Sequence, residues 1–208
     1  MSQRGKTKPK RTSSGKEIRL FAKPSDWEAW LSANPGNSQG VWLRLGKKGS
    51  GTRSVTYAEA LEVALCYGWI DGQKLGESEQ AWLQRFLPRS ARSIWSRINR
   101  EKAQALIARG RMQAAGHAAI DVAKKNGTWD AAYESPKAAA VPPDFQAALD
   151  ANPQARAFFD SLDRANRYAI LFRIQTVKKP ETRARKIQEF IHMLKRRERI
   201  HPPRRIRK

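Results

Sequence analysis

Hydrophobic residues recur at helical spacing near the start of the chain and then alternate in the manner of a strand. Three apolar residues share one face of the first predicted helix: Trp27, Trp30 and Leu31. Ser25 precedes Glu28 by three residues, the spacing of a capping box, so we expect this helix to begin at Ser25. Residues 41–45 alternate between two faces, and glycines follow them, which predicts a strand that enters a loop.

The next segment predicts a second helix and then a cluster of short strands. Thr56 and Glu59 have capping-box spacing, and Gly68 is placed to end the helix that they begin. The turn pair Asp71-Gly72 follows a short apolar run and predicts a strand that ends in a turn. Residues 80–88 predict a further strand, residues 93–96 are a third candidate, and helical periodicity returns in residues 100–127.

The order of these elements predicts an α+β fold with a small antiparallel sheet and flanking helices, followed by a C-terminal helical module. Residues 127–143 are rich in Ala, Pro and Ser, a composition typical of a linker. The predicted organisation is a disordered basic tail, an α+β domain, a helical module and a second basic tail, over residues 1–16, 17–137, 138–196 and 197–208. Five phenylalanines of the module are expected to be buried: Phe145, Phe158, Phe159, Phe172 and Phe190.

The formal net charge of the 208-residue chain is +22, which favours binding to polyanions. Residues 1–16 carry six Lys and Arg and no acid, and residues 195–208 carry eight against Glu198 alone. Tails of this kind are expected to bind nucleic acid without sequence preference. Solubility alone is the alternative explanation of the charge. The tail residues predicted to contact phosphates are Lys6, Lys8, Lys10, Arg11, Arg204, Arg205, Arg207 and Lys208.

Several classes of protein are disfavoured by what the sequence lacks. No run of about 18 apolar residues is present and the first residues do not resemble a secretory signal, so we expect no transmembrane segment and a cytoplasmic location. The single cysteine, Cys66, excludes an intrachain disulfide. With only three histidines, a zinc or iron site is not expected, and neither a metal nor a cofactor is predicted, although a carboxylate-bound magnesium ion is left open.

Several sequence blocks resemble the bacterial YdeI/OmdA-like family. They are GVWL, YAEALEVALCYGWIDG, RFLPRSARSIWSRIN, LIARGRM and GTWDAAY, together with VPPDFQAAL and ETRARKI in the predicted helical module. The resemblance runs from about residue 20 to residue 196. It implies an association with protection against bacteriocins or cationic peptides and, through the family name, with an outer-membrane porin.

The segment that contains Arg85, Arg89, Arg92 and Arg97 is the strongest candidate for a binding site. Guanidinium groups, serine hydroxyls and a tryptophan face together suit a phosphate or a carboxylate. The predicted ligand-binding residues are Trp69, Asp71, Arg85, Arg89, Ser93, Trp95, Ser96 and Asn99. The alternative is that the apolar residues form core and the arginines are solvated. A weaker candidate is the helix start at Arg183, for which an ordinary helix cap is the alternative.

Asp71 is the one candidate catalytic residue, because the neighbouring Trp69 offers an apolar environment that raises the pKa of a carboxyl group. A simple turn role is the alternative. We favour a non-enzymatic protein that binds an anion or another partner, and we keep a small-molecule enzyme that uses Asp71 as the second hypothesis. A pocket containing Asp71, Arg85 and Arg89 together would favour the enzyme, whereas dispersed side chains would favour the binding protein.

Overall fold

The structure is a computed structural model that describes residues 10–11, 17–35, 37–135, 139–177 and 179–202. Within these residues the chain forms five strands and eight helices. The strands are β1 (Lys10–Arg11), β2 (Glu17–Arg19), β3 (Val41–Gly46), β4 (Trp69–Gly76) and β5 (Ala81–Pro88). The helices are α1 (Pro24–Ala33), α2 (Tyr57–Cys66), α3 (Arg97–Ala108), α4 (Ala114–Lys125), α5 (Pro143–Asp150), α6 (Pro153–Ser161), α7 (Arg164–Gln175) and α8 (Pro180–Lys195).

The strands form one sheet in the order β1-β2-β3-β5-β4. β3 pairs with β5 in antiparallel register, with Val41 opposite Phe86, and β4 pairs with the other side of β5. β2 runs parallel to β3, because α1 carries the chain back so that both strands start at the same edge. The α+β class is confirmed. The expectation of an antiparallel sheet holds for the other strand pairs, but the sheet as a whole is mixed.

The core of the sheet-bearing unit is centred on Trp27, whose side chain is 0% exposed. Its ring stacks on that of Trp30, and its indole Nε1 donates a hydrogen bond of 3.0 Å to the carbonyl oxygen of Ala60. The predicted helix is therefore confirmed, but its predicted capping box is wrong. The helix begins at Pro24, because the fixed φ of proline suits the first helical position, and Ser25 consequently lies inside the helix.

The second predicted helix has the expected boundaries. The hydroxyl of Thr56 accepts a hydrogen bond from the Glu59 amide at 3.2 Å, and the Glu59 carboxylate accepts one from the Thr56 amide at 2.7 Å. The capping box is therefore confirmed. The hydrogen bond from the Thr56 backbone also lowers the pKa of Glu59. After the helix, Gly68 has a φ of +72°, a conformation that a residue with a Cβ adopts at a cost.

Two strand predictions need correction. Asp71-Gly72 is not a turn, because β4 continues to Gly76 and the pair lies at a register shift between Asp71 and Lys74. The hairpin instead turns over residues 77–80, where the Ser78 amide donates to the Ala81 carbonyl. Residues 93–96 do not add a strand to the sheet, since only an isolated bridge joins Ser96 to Tyr133.

The described residues divide into two compact units. The first contains the described residues up to Ile94 together with Asn99–Asp130, and the second contains Trp95–Ile98 and the described residues from Ala131 onward. Of the tail cations predicted to contact phosphates, Lys10 and Arg11 form β1, and the others lie outside the described residues. The boundaries proposed for tails and domains stay predictions.

The second unit is helical and has its own hydrophobic core. Prolines occupy the first turns of α5, α6 and α8, where the absence of an amide hydrogen costs nothing. Phe145 and Phe159 meet edge to face with ring centroids 5.4 Å apart, and Phe190 is buried in the same cluster. Phe158 is partly buried against the cluster, whereas Phe172 packs its ring against Tyr133 and Tyr168.

Candidate functional site

A cavity of about 360 Å³ lies in the first unit where β4 begins and β5 ends. One wall comes from the chain around these strand ends, and the other is a single face of α4. We call it the Arg89 cavity. Its lining residues are Pro35, Tyr67, Gly68, Trp69, Pro88, Arg89, Ser90, Ala91, Ala115, Ala118, Ala119 and Val122.

Two glycines bring α4 close enough to form this wall. A Cβ on Gly68 would lie 2.6 Å from the carbonyl oxygen of Ala115, and a Cβ on Gly116 would collide with the carbonyl oxygen of Cys66. The Gln113 amide also donates to the Cys66 carbonyl at 3.0 Å. The beginning of α4 therefore packs directly on the end of α2, and the short alanine side chains further along α4 leave the space that becomes the cavity.

Arg89 is held in place by its own loop. Its amide donates to the Gly68 carbonyl at 2.9 Å, and its guanidinium Nη1 donates to the Ile94 carbonyl at 3.2 Å. The loop is fixed in turn, because the Ser90 amide donates to the hydroxyl of Ser93 at 3.0 Å. Arg89 is the charged residue among the described residues that line the cavity. A guanidinium beside apolar walls suits a carboxylate or phosphate, to which it can donate a charge-assisted hydrogen bond.

The structure does not bring Arg85 to this cavity. Side chains alternate along β5, so Arg85 faces away from Phe86, which is buried beside Trp27. The guanidinium Nη2 of Arg85 donates to the carbonyl oxygen of Gln39 at 3.1 Å. Opposite Arg85 in register lies Trp42, whose side chain is buried and whose indole Nε1 has no acceptor among the described residues.

Asp71 also lies outside the cavity. It occupies β4, and its Oδ2 accepts a hydrogen bond of 2.8 Å from the hydroxyl of Tyr57 on α2. The Tyr57 ring in turn packs against Trp82, with centroids 6.0 Å apart. This contact gives Asp71 a structural partner on the helix that covers the sheet.

The remaining predicted site residues divide between the two units. Trp69 lines the Arg89 cavity, whereas Ser93 does not line it and supports the loop through its hydrogen bond to the Ser90 amide. Asn99 lies in α3 of the first unit. Trp95 and Ser96 belong to the second unit, where the Trp95 carbonyl accepts a hydrogen bond from the Tyr133 amide at 3.0 Å.

Sequence reasoning missed the contribution of α4. Ala115, Ala118 and Ala119 form much of one cavity wall, yet small residues on a predicted helix carry no chemical signal of their own. Ser90 and Tyr67, which also line the cavity, were absent from the predicted set as well. The spacing of four residues between Ala115 and Ala119 indicates a shared helix face, but it does not indicate what that face meets.

The single cysteine has a structural role. Cys66 is buried in α2, and burial raises the pKa of its thiol, which disfavours the nucleophilic thiolate.

Within the described ranges, no group of three or more His, Cys, Asp and Glu side chains is placed to hold a metal ion. In the same ranges, no helix combines the length and the apolar character needed to cross a membrane.

Arg183, the weaker candidate at the start of α8, has an internal partner. Its Nε and Nη2 donate to the two carboxylate oxygens of Asp144 at 2.6 and 2.9 Å, and its Nη1 donates to the Ile174 carbonyl at 2.7 Å. The hydrogen bonds from Arg183 lower the pKa of Asp144. The guanidinium thus joins α5, α7 and α8 within the second unit. Its hydrogen bonds are made to Asp144 and Ile174, which favours a structural role over anion binding.

The Asp144→Asn substitution is expected to lower the free energy of unfolding of the second unit by about 0.5–1 kcal/mol at pH 7, because the ion pair is partly exposed. The depressed pKa means that the contribution is fully present above the unfolded-state pKa and is lost as the pH falls through the folded-state pKa. Urea unfolding followed by NMR signals of α5 and α8 measures this difference.

Asp160→Asn is the matched control, since Asp160 lies 3.8 Å from Arg156 and is more exposed. It should change the unfolding free energy much less. A difference between Asp144→Asn and the natural protein that grew as the pH fell toward 3 would contradict the role given to this pair.

The geometry defines a two-unit α+β protein with a small cavity that is lined by one positively charged side chain, that of Arg89. Residues 138–197 match the family described as "Bacteriocin-protection, YdeI or OmpD-Associated", which confirms the resemblance to the YdeI/OmdA family through the C-terminal module. Residues 19–119 match a second family, described as "Domain of unknown function (DUF8412)". No curated protein and no solved structure matches the chain.

Proposed function

We propose that the chain is a non-enzymatic binding protein that holds a small organic anion in the Arg89 cavity. The observation that carries this proposal is the lining of the cavity, in which Arg89 supplies the charge and the other described residues are apolar or neutral. A volume of about 360 Å³ falls in the range of small-molecule sites. The ligand class is an anion with one carboxylate or phosphate group and a compact apolar body.

Three features support this ligand class over others. A cationic ligand would face the guanidinium of Arg89 without a carboxylate among the described lining residues. A bare inorganic ion would leave most of the apolar lining, which includes Trp69 and Val122, without a ligand contact. The loop contacts of Arg89 fix its position before binding, so little side-chain entropy is lost when the anion arrives.

The separation of Asp71 from the predicted anion-binding arginines supports a binding protein over an enzyme. Asp71 is bonded to Tyr57, and Arg85 is bonded to the Gln39 carbonyl on the other face of the sheet. Neither side chain lines the Arg89 cavity. An enzyme that used Asp71 with these arginines would need the three groups around one substrate.

The family description adds bacteriocin protection and association with OmpD, and both come to this chain only as proposals. A protein with a net charge of +22 repels cationic peptides, so direct capture of such a peptide is unfavourable. We infer that a protective role of this chain would act through its anionic ligand. A cytoplasmic location is part of the same proposal.

Replacing Arg89 with glutamine is expected to weaken the binding of phenyl phosphate at least about tenfold, because a hydrogen bond to a charged group contributes about 1.5–3 kcal/mol. Phenyl phosphate supplies both the anionic group and an apolar ring. Isothermal titration calorimetry of the full chain at fixed ionic strength measures the affinity, with inorganic phosphate as the probe that lacks the ring.

Arg92→Gln is the matched control, because Arg92 lies in the same loop, is exposed and does not line the cavity. It should leave the affinity nearly unchanged. Ala118→Leu narrows the cavity and should weaken the binding of phenyl phosphate more than the binding of inorganic phosphate. Equal losses of affinity in Arg89→Gln and Arg92→Gln would show that the anion is attracted by the overall positive charge and not by a site at Arg89. The proposal would then fail.

Nonspecific nucleic-acid binding through the basic tails is the second candidate function. It is favoured by the charge distribution, since the two ends hold more than half of the net charge of +22. Neither tail contains Phe, Trp or Tyr, the residues that stack most strongly on exposed bases, so we expect little preference for single strands.

A further inference from the structure

The second unit contains a larger cavity, of about 640 Å³, along one face of α7. Tyr168, Phe172 and the short side chains of Ala165 and Ala169 form its floor. These positions recur every three to four residues, so they make one continuous apolar stripe on the helix. We call this surface the α7 groove.

Arginines mark both ends of the stripe. Arg164 and Arg173 line the groove and are exposed, and no carboxylate of the described residues forms an ion pair with either. They are nine positions apart, which corresponds to about 13–14 Å along an α-helix. His201 adds a third nitrogen-bearing side chain to the rim. Asp163 also lines the groove, but its carboxylate caps α7 by accepting from the Asn166 amide at 2.8 Å.

The floor of the groove is held by contacts within the same unit. The hydroxyl of Tyr168 donates to the Glu134 carbonyl at 3.1 Å, and burial raises its pKa to about 12, so the phenol keeps its proton at neutral pH. The Phe172 ring meets that of Tyr133 edge to face, with centroids 4.9 Å apart. A partner would therefore meet a surface that is already ordered, which reduces the entropic cost of binding.

We propose that the α7 groove docks an amphipathic helix of a partner protein whose apolar stripe is flanked by acidic residues. Helices bind grooves through apolar anchors at intervals of three, four and seven residues, which matches the stripe of Tyr168 and Phe172. Carboxylates near both ends of that helix would pair with Arg164 and Arg173. The net charge of the chain disfavours a basic partner, including its own basic ends.

The test uses the full chain and a synthetic helical peptide with leucines at positions i, i+4 and i+7 and glutamates at both ends of this stripe. Fluorescence anisotropy of the labelled peptide measures its affinity. We expect Arg164→Glu and Arg173→Glu each to weaken binding about tenfold, because each change removes an attraction and adds a repulsion. Arg185→Glu, on an exposed arginine of α8 outside the groove, is the matched control and should have little effect.

A charge exchange separates docking from damage to the fold. A peptide with lysines in place of the glutamates should bind the double variant Arg164→Glu/Arg173→Glu more tightly than it binds the natural chain. The proposal is overturned if a peptide with glutamines binds as tightly as the acidic one. It is also overturned if the natural chain self-associates through the groove, because the occupant is then a second copy. The small-anion proposal does not depend on any of these results.

Discussion

Replacing Trp27 with alanine is expected to lower the free energy of unfolding of the first unit by about 3–5 kcal/mol, a large part of the stability of a typical domain. Trp27 is 0% exposed and its ring contacts those of Phe21, Trp30, Trp69 and Phe86. The change leaves a cavity among these rings. It also removes the buried hydrogen bond from the Trp27 indole to the Ala60 carbonyl.

Urea unfolding followed by tryptophan fluorescence measures this loss, because six of the seven tryptophans lie in the first unit. Trp82→Ala is the matched control. Trp82 is half-buried, and Lys74 lies over its ring at 4.1 Å, so we expect a loss of about 1–2 kcal/mol. Comparable losses in the two variants would contradict a core centred on Trp27.

Neutralising the tail cations is expected to have the largest effect on DNA affinity. A protein that makes six to ten phosphate contacts loses about 10³-fold or more in affinity for duplex DNA between about 50 and 200 mM salt. We expect the natural chain to show such a dependence and a variant with glutamine at the tail positions to lose most of it. The substituted positions are Lys6, Lys8, Lys10, Arg11, Arg204, Arg205, Arg207 and Lys208.

The glutamine variant keeps the chain length, so β1 and the residues around His201 remain present while the charge changes. Filter binding of duplex DNA across a salt series gives the slope for each protein. The matched control removes four exposed cations of the first unit: Lys48, Lys102, Arg109 and Lys125. A second tail variant, with glutamine at Lys6, Lys8, Lys10 and Arg11 alone, removes the same number of charges as this control. If the control reduced the slope as much as this second variant did, the folded surface would be the DNA site.

Local patterns in the sequence predicted the elements whose determinants are close together in the chain. The capping box at Thr56 and the positive φ of Gly68 both depend on contacts within a few residues. The turn predicted at Asp71-Gly72 was wrong because that prediction also rested on a local preference, namely the tendency of this residue pair to form turns. In the structure its place in β4 is decided by pairing with β5, which is a long-range interaction.

The candidate site was predictable only in part. Trp69 and Arg89 were predicted and meet in one cavity, although they are twenty positions apart. Arg85 was grouped with Arg89, but β5 ends at Pro88, so Arg85 stays on the sheet whereas Arg89 lies in the loop that follows. The wall from α4 could not be inferred, because only the close approach permitted by Gly68 and Gly116 brings that helix to the strand ends.

The central claim is that the Arg89 cavity holds a small organic anion, and a crystal structure of the full chain with phenyl phosphate tests it most directly. The predicted result is density for the phosphate within hydrogen-bond distance of the Arg89 guanidinium, with the ring against Trp69 and the alanine face of α4. Density confined to contacts between neighbouring molecules, with the Arg89 cavity free of ligand, would contradict the account.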